Sequence, residues 1–260
     1  MSYTNSTILT IPLFPLHTVL FPLSPLQLHI FEERYKTMIS ECLENERPFG
    51  VVLIQKGRDI GGAAVPFEIG CTARIIDVQK LEEGRMNLLA VGENRFRLLD
   101  YMVGEDAYMI GTVEFLEEET IPSEQVEKPV TTTAILTYRY LELLSECAGL
   151  QIPNIELPSD ASSLGFYIAA IAQMPANEKQ NLLTTTNPLH RLEVEQVFLE
   201  KQIKELEEIK VTMESVGEDN SALSNEEDDG EVEYAPRVLY AETLNLQSEF
   251  WKRHSEQTKN

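Results

Sequence analysis

The sequence predicts an α+β protein, a small curved β-barrel unit with one early helix followed by an α-helical bundle. Three observations lead there. Residues 11–119 break into short apolar or alternating runs punctuated by Pro, Gly and charged turns, the signature of strands. Residues 130–216 change to the three-to-four spacing of amphipathic helices. In "FEIGCTARIIDVQKL", Ile69, Cys71, Ala73 and Ile75 share one parity and Ile76 and Val78 break it, which predicts a bulge that bends the strand.

The opening run "IPLFPLHTVLFPLSPLQLHIFEERY" (Ile11 to Tyr35) is apolar enough for a membrane span. Four prolines and His17, Gln27 and His29 interrupt it, whereas spanning takes about 20 unbroken apolar residues. It reads as two short strands, at Leu13-Phe14 and Leu26 to Ile30, with prolines at their starts and in the link. Phe31, Tyr35, Met38, Ile39, Cys42 and Leu43 then form one helical stripe, with Glu32 and Glu33 where the helix dipole favours negative charge. "FGVVLI" is a buried strand, and "EEGR" turns the chain into "MNLLAVG". In "RFRLLDY" Phe96 and Leu98 point inward and Arg95 and Arg97 outward. "AYMIGTVEFL" supplies one more strand, with Met109, Gly111, Val113 and Phe115 on one side.

In the helical part, Ile135, Tyr138, Leu141, Leu144 and Ala148 make the buried face of the first helix, with Gly149 as its stop. Ser159 or Asp160 caps "LGFYIAAIAQM", and "NEKQ" (Asn177 to Gln180) has capping-box spacing. Asn187-Pro188 is an N-cap with proline at the first helical position, opening a long helix to about Met213. Leu192, Leu199, Leu206 and Met213 lie seven apart on it, a seam for packing along its own bundle. The domains expected are a polar tail (1–10), the β-barrel unit (11–120), the helical unit (130–216), an acidic disordered linker (217–233) and a C-terminal amphipathic helix or tail (234–260).

Composition narrows the function. The 43 acids and 21 bases give a formal charge of −22, which repels nucleic-acid phosphates and anionic membranes. Cys42, Cys71 and Cys147 sit in apolar stretches and read as free thiols of a reducing compartment. Met1 to Thr10 has no basic n-region, and a cytoplasmic protein is expected. There is no GxxxxGK[ST], HExxH or CxxC, and "KGRDIGGAA" reads as a loop. His29 and Glu32 stand three apart, where a structural hydrogen bond is the reading. No catalytic residue, metal or cofactor is expected.

The blocks "IPLFPLHTVLFPLSPLQLHIFEERYKTMI", "FGVVLI", "EIGCTARI" and "VGENRFRL" resemble the amino-terminal substrate-binding domain of the Lon protease. "LGFYIAAIAQMPANEKQNLLTTTNPLHRL" is similar to its helical half, and together the resemblance covers about Ile11 to Lys210. It implies a PUA-like β-barrel followed by a helical bundle, and closest likeness to family members that lack the ATPase and protease modules. It implies a non-catalytic polypeptide-binding or adaptor protein of protein quality control, with unfolded segments and an ATP-dependent protease as partners. The alternative is a PUA-like module for RNA or a small molecule. Phe14, Leu16, Phe21 and Leu23 on the opening strands are the candidate polypeptide-binding residues, because short segments cannot turn all four inward. Phe250 and Trp251 are candidates for docking of the C-terminal segment.

Overall fold

The computed structural model describes residues 8–57, 64–104, 108–148 and 155–220. They form six strands and five helices in the order β1 (Ile8–Leu16), β2 (Pro25–Ile30), α1 (Glu33–Glu44), β3 (Phe49–Lys56), β4 (Val65–Lys80), β5 (Met86–Val103), β6 (Met109–Phe115), α2 (Ser123–Ala148), α3 (Ala161–Ile171), α4 (Ala176–Thr184) and α5 (Pro188–Asn220). The chain divides into two compact units. One is Met1–Ile121 with Gly165–Arg191, and the other is Pro122–Leu164 with Leu192–Asn260. Helices α3 and α5 therefore each begin in one unit and finish in the other.

The first unit is a mixed sheet in the order β2-β5-β4-β3-β1-β6, with β5 also paired to β6. The pairings β1-β3-β4-β5-β6-β1 thus close a ring, and β2 adds to the outside of β5. Only β1 and β3 run parallel. Two long strands make closure possible. The 16-residue β4 and the 18-residue β5 each serve several neighbours, so "MNLLAVG" and "RFRLLDY" are one strand rather than two. The register of β4 against β5 slips between Ile75 and Asp77, where the parity of the sequence changes, and Ile76 is left exposed.

Pro12 and Pro15 lie inside β1, not at its start. The ladder to β6 covers Ile8 to Leu13 and the ladder to β3 covers Leu13 to Leu16. Each proline therefore occupies a half of the strand that is paired on one side only, where a missing N–H costs no ladder bond. Helix α1 starts two residues later than the apolar stripe suggests. Phe31 stays outside it and is exposed, whereas Tyr35, Met38, Ile39 and Cys42 are buried. These join Phe14, Ile30, Phe49, Val51 and Leu88 in one core cluster. Leu13, Val52, Phe96, Leu98 and Val113 form another.

The link from β1 to β2 is fixed by backbone. Leu23 N–H donates to Gly92 O at 2.7 Å and Gly92 N–H donates to Ser24 O at 3.0 Å. Leu23 takes a left-handed φ of 62° to make this turn. The approach needs glycine in β5, because a Cβ at Gly92 would lie 2.1 Å from Phe21 O.

Arg95 is a correction to the strand reading. It leaves the ring's interior as its parity requires, yet it is buried, because carbonyls at the C-terminal end of α4 cover that face. Helix α4 has Pro175 at its N-cap and no side-chain cap bond, so "NEKQ" is not a capping box. Gln180 instead buries its amide, donating to Ile69 O on β4 at 2.8 Å. Asp160 Oδ1 accepts from Ser163 N–H at 2.8 Å and Asn187 Oδ1 from His190 N–H at 3.0 Å, the N-caps expected.

In the second unit α2 and α5 lie side by side and run the same way, with Thr133 beside Gln196, Tyr140 against Phe198 and Glu146 paired to Lys210. The buried face of α2 overlaps the expected one only in part. Leu141 and Leu144 are buried as expected, but Ile135 and Tyr138 are exposed and Thr133, Thr137 and Tyr140 are buried instead. Thr133 and Thr137 can be interior because their hydroxyls donate to the carbonyls of Pro129 and Thr133, each at 2.8 Å. Leu192 and Leu199 of the seven-residue seam are buried, and Met213 is exposed. Helix α5 runs past Met213 to Asn220, taking in the first four residues assigned to the linker. The rest of that linker, Gly149, Phe250 and Trp251 lie outside the described residues.

Gly92→Ala should lower the thermal midpoint by several degrees, since its Cβ can only be accommodated by displacing Phe21 backbone, an overpacking cost of about 1–3 kcal/mol. A thermal melt followed by circular dichroism checks it.

Candidate functional site

The four residues singled out on the opening strands do not share one surface. Phe14 is 7% exposed and stacks on Tyr35 with ring centroids 4.0 Å apart. Phe21 is 1% exposed and belongs to an interior cluster with Ile69, Phe166, Ala169, Leu182 and Leu183. It is a core residue and not a contact surface, because the proline-rich link folds back over β5 and helix residues cover it. Leu23 is the half-buried left-handed residue of that link. Leu16 is half-buried at the end of β1.

Phe14 and Leu16 do meet at one opening. A pocket of about 130 Å³ is lined by Phe14, Leu16, Leu28, His29, Ile30, Phe31, Glu32 and Tyr35. Its floor is the Phe14–Tyr35 stack. Its rim carries Phe31, 49% exposed and stacked on His29 at 6.0 Å. Arg34 lies over the Tyr35 ring at 4.5 Å from its centroid and bonds Glu32 at 3.0 Å. The pocket is therefore aromatic and aliphatic, with its one carboxylate engaged by a neighbouring guanidinium. It opens beside β2, which pairs with β5 alone among the described residues. Sequence reasoning missed Phe31 and Tyr35 because both fit the helical stripe. The signal available was Phe31 preceding Glu32 and Glu33, the N-cap and the first residue of α1, which places it before the helix.

A second, shallower depression of about 500 Å³ lies over β2, β5 and β4, lined by Gln27, Leu28, His29, Asp77, Gln79, Asn87, Leu88 and Leu89. Across it His29 Nδ1–H donates to Asn87 Oδ1 at 2.8 Å and Asn87 Nδ2 donates to Gln79 Oε1 at 3.1 Å. These three are register partners, so the row is a cross-strand ladder satisfied within itself.

Catalytic chemistry finds little to work with among the described residues. Burial raises the Cys42 thiol to about 11 against the lowering influence of Arg47, and burial raises Cys71 further still. Both remain thiols at neutral pH, without the thiolate that nucleophilic attack requires. No group of three His, Cys, Asp or Glu side chains is placed to hold a metal among the described residues.

The strongest electrostatic feature is structural. Arg95 on β5 and Arg191 at the start of α5 both bind the carboxylate of Glu118, which follows β6. Arg95 donates to Leu183 O and Thr185 O at 2.6 and 2.7 Å, and Arg191 to Leu182 O at 3.3 Å. Arg191 also lies 3.9 Å from the Phe166 ring centroid. Burial pulls the Arg95 guanidinium below its ordinary value, and Glu118 opposes the shift.

With this geometry established, the comparisons with known proteins assign the family. The model of the ATP-dependent protease La (Lon) substrate-binding domain matches residues 10–201. The chain belongs to the Lon substrate-binding domain family. It is 26% identical over 187 residues to a Lon protease of Anaeromyxobacter dehalogenans and 28% over 188 residues to Lon protease 2 of Myxococcus xanthus. Each alignment covers 71% of this chain and 22% of the relative, so the chain spans less than a quarter of the length of these proteases. Among solved structures it is similar to a Lon N-terminal domain protein from Xanthomonas campestris. That likeness has a TM-score of 0.54 and 26% identity, covering 71% of this chain and 95% of that one. The N-terminal domain of a Mycobacterium avium complex Lon protease shares the fold at TM-score 0.54 and 16% identity, covering 74% of this chain and 98% of that one. No helix among the described residues is long and apolar enough to cross a membrane.

Lys179 provides a pH test of this unit. Its ammonium donates to Ala170 O at 2.9 Å, and burial lowers it from 10.5 to about 8. Between those values the unfolded chain holds more protons than the folded one, so stability rises with pH there. The stability of the native protein relative to Lys179→Met should therefore increase from pH 7 to pH 10. Paired urea titrations at the two pH values check it.

Proposed function

We propose that this chain recognises polypeptide substrates without cutting them, as a substrate-recognition or adaptor module. The observation that carries the reading is the aromatic pocket beside the edge strand β2, in a region matched by a substrate-binding family model. A side chain of an unfolded segment enters between Phe14, Leu16 and Phe31 while its backbone lies along β2. The pocket's apolar lining favours bulky aliphatic or aromatic side chains, and its small volume admits one at a time. Affinity is micromolar, because one anchor must offset the ordering of the segment. The closed ring of strand pairings supports reading the first unit as a PUA-like barrel. Cytoplasmic quality control, with presentation of clients to an ATP-dependent protease, is the setting this reading implies.

Phe31→Ala should weaken binding of a permanently unfolded model protein several-fold, on the order of 1 kcal/mol for a half-exposed aromatic contact, with the thermal midpoint unchanged. Fluorescence anisotropy with a labelled substrate checks it. Unchanged affinity would overturn the pocket as the site.

A further inference from the structure

The distal part of β5 is an open edge. Its pairing with β4 ends at Ile69↔Arg97, and β6 continues to pair it from Leu98↔Val113 to Val103↔Met109. From Leu98 to Val103, one side of the strand has no ladder partner among the described residues. An outward amide on that side has found a side chain: Tyr101 N–H is met by Asp100 Oδ1 at 2.8 Å. The strand is apolar on both faces. Leu99, Tyr101, Met102 and Val103 are 48%, 39%, 65% and 62% exposed. Proteins usually blunt such an edge with lysine, proline or a bulge; "LLDYMV" contains neither residue, and its one register shift, between Leu98 and Asp100, lies at the start of the edge and leaves Asp100 to Val103 regular.

We propose that this edge takes up an extended, apolar, proline-free client segment as an added β-strand. The inference rests on the polypeptide-binding reading and adds a second, backbone-directed contact to it. The four regular residues Asp100 to Val103 offer about 13 Å of ladder, enough to hold a short unfolded segment. Alternate client side chains would lie over Tyr101 and Val103 on one face and over Met102 on the other. A second copy is the poorer occupant. Reciprocal pairing of two such edges would bury a few hundred Å² per partner, short of the roughly 800 Å² of a stable interface. Displacing Asp100 from the Tyr101 amide is the local cost of strand addition, and it keeps the edge capped between clients.

The test uses the full chain and two fluorescent decapeptides of alternating valine and threonine. One is unmodified, and its twin is methylated on alternate backbone nitrogens. The unmodified peptide should bind at micromolar concentration and protect the amides of Tyr101 and Val103 from hydrogen exchange. The methylated twin should bind at least tenfold more weakly. Val103→Lys, at an exposed position, should weaken the unmodified peptide at least fivefold with no change in thermal midpoint. Equal binding of the two peptides, protection confined to other segments, or no effect of Val103→Lys would overturn the edge proposal. Protection of the same amides that grows with protein concentration alone would assign the edge to a second copy and overturn it too. Loss of binding in Phe31→Ala with none in Val103→Lys would leave the pocket standing and remove the edge. The reverse pattern would remove the pocket and keep the edge.

Discussion

Two guanidinium groups cannot be taken out of water without partners, and the first unit is organised around meeting that requirement. Arg95 comes from the middle of β5, and Arg191 comes from the first turn of α5. Glu118, just beyond β6, is the carboxylate they share. Carbonyls at residues 182, 183 and 185 accept further N–H groups of the two arginines, and the Phe166 ring lies beneath Arg191. One charge cluster therefore ties together β5, the segment after β6, α3, the end of α4 and the start of α5. Apolar packing of Phe21, Ile69, Leu182 and Leu183 supplies attraction across the same layer but little direction. The arginine–carboxylate geometry sets how the helical residues 165–191 sit on the sheet.

That constraint explains where the apolar surface remains. The covered side of the ring takes Phe21 inward and closes the link over Gly92. The regions away from the cluster are the end of β1 with β2, and the distal arm of β5 and β6. Exposed aromatic and aliphatic side chains stand in both, Phe31 in one and Tyr101, Met102 and Val103 in the other. Both lie beside strand edges, where apolar side chains and unpaired backbone groups stand together.

Much of the fold was legible because its signals are local. The parity change after Ile75, the Asn187-Pro188 cap and the buried run Phe49 to Ile54 each follow from spacing within a few residues. The failures are tertiary. Arg95 points out of the ring as alternation demands, but no local pattern announces that residues about 90 positions later cover it. The buried face of α2 was read correctly at Leu141 and Leu144 and missed in its first half, because threonines that satisfy their hydroxyls on the preceding turn pack as apolar residues. Pro12 and Pro15 fit inside β1 only because that strand changes partners midway. The candidate site was half legible. Phe14 and Leu16 line the pocket, Phe21 fills the core, and Phe31 was hidden by its apparent place in a helix.

The most direct test of the account is the unfolding free energy of Glu118→Gln, which keeps the shape of the side chain and removes its charge. The account predicts a loss on the order of 3 kcal/mol, because two buried arginines lose the carboxylate they share. The unit's sheet and helical amides should lose protection together. A change below about 0.5 kcal/mol, the scale of an ordinary surface substitution, would contradict it and place the organising interaction elsewhere.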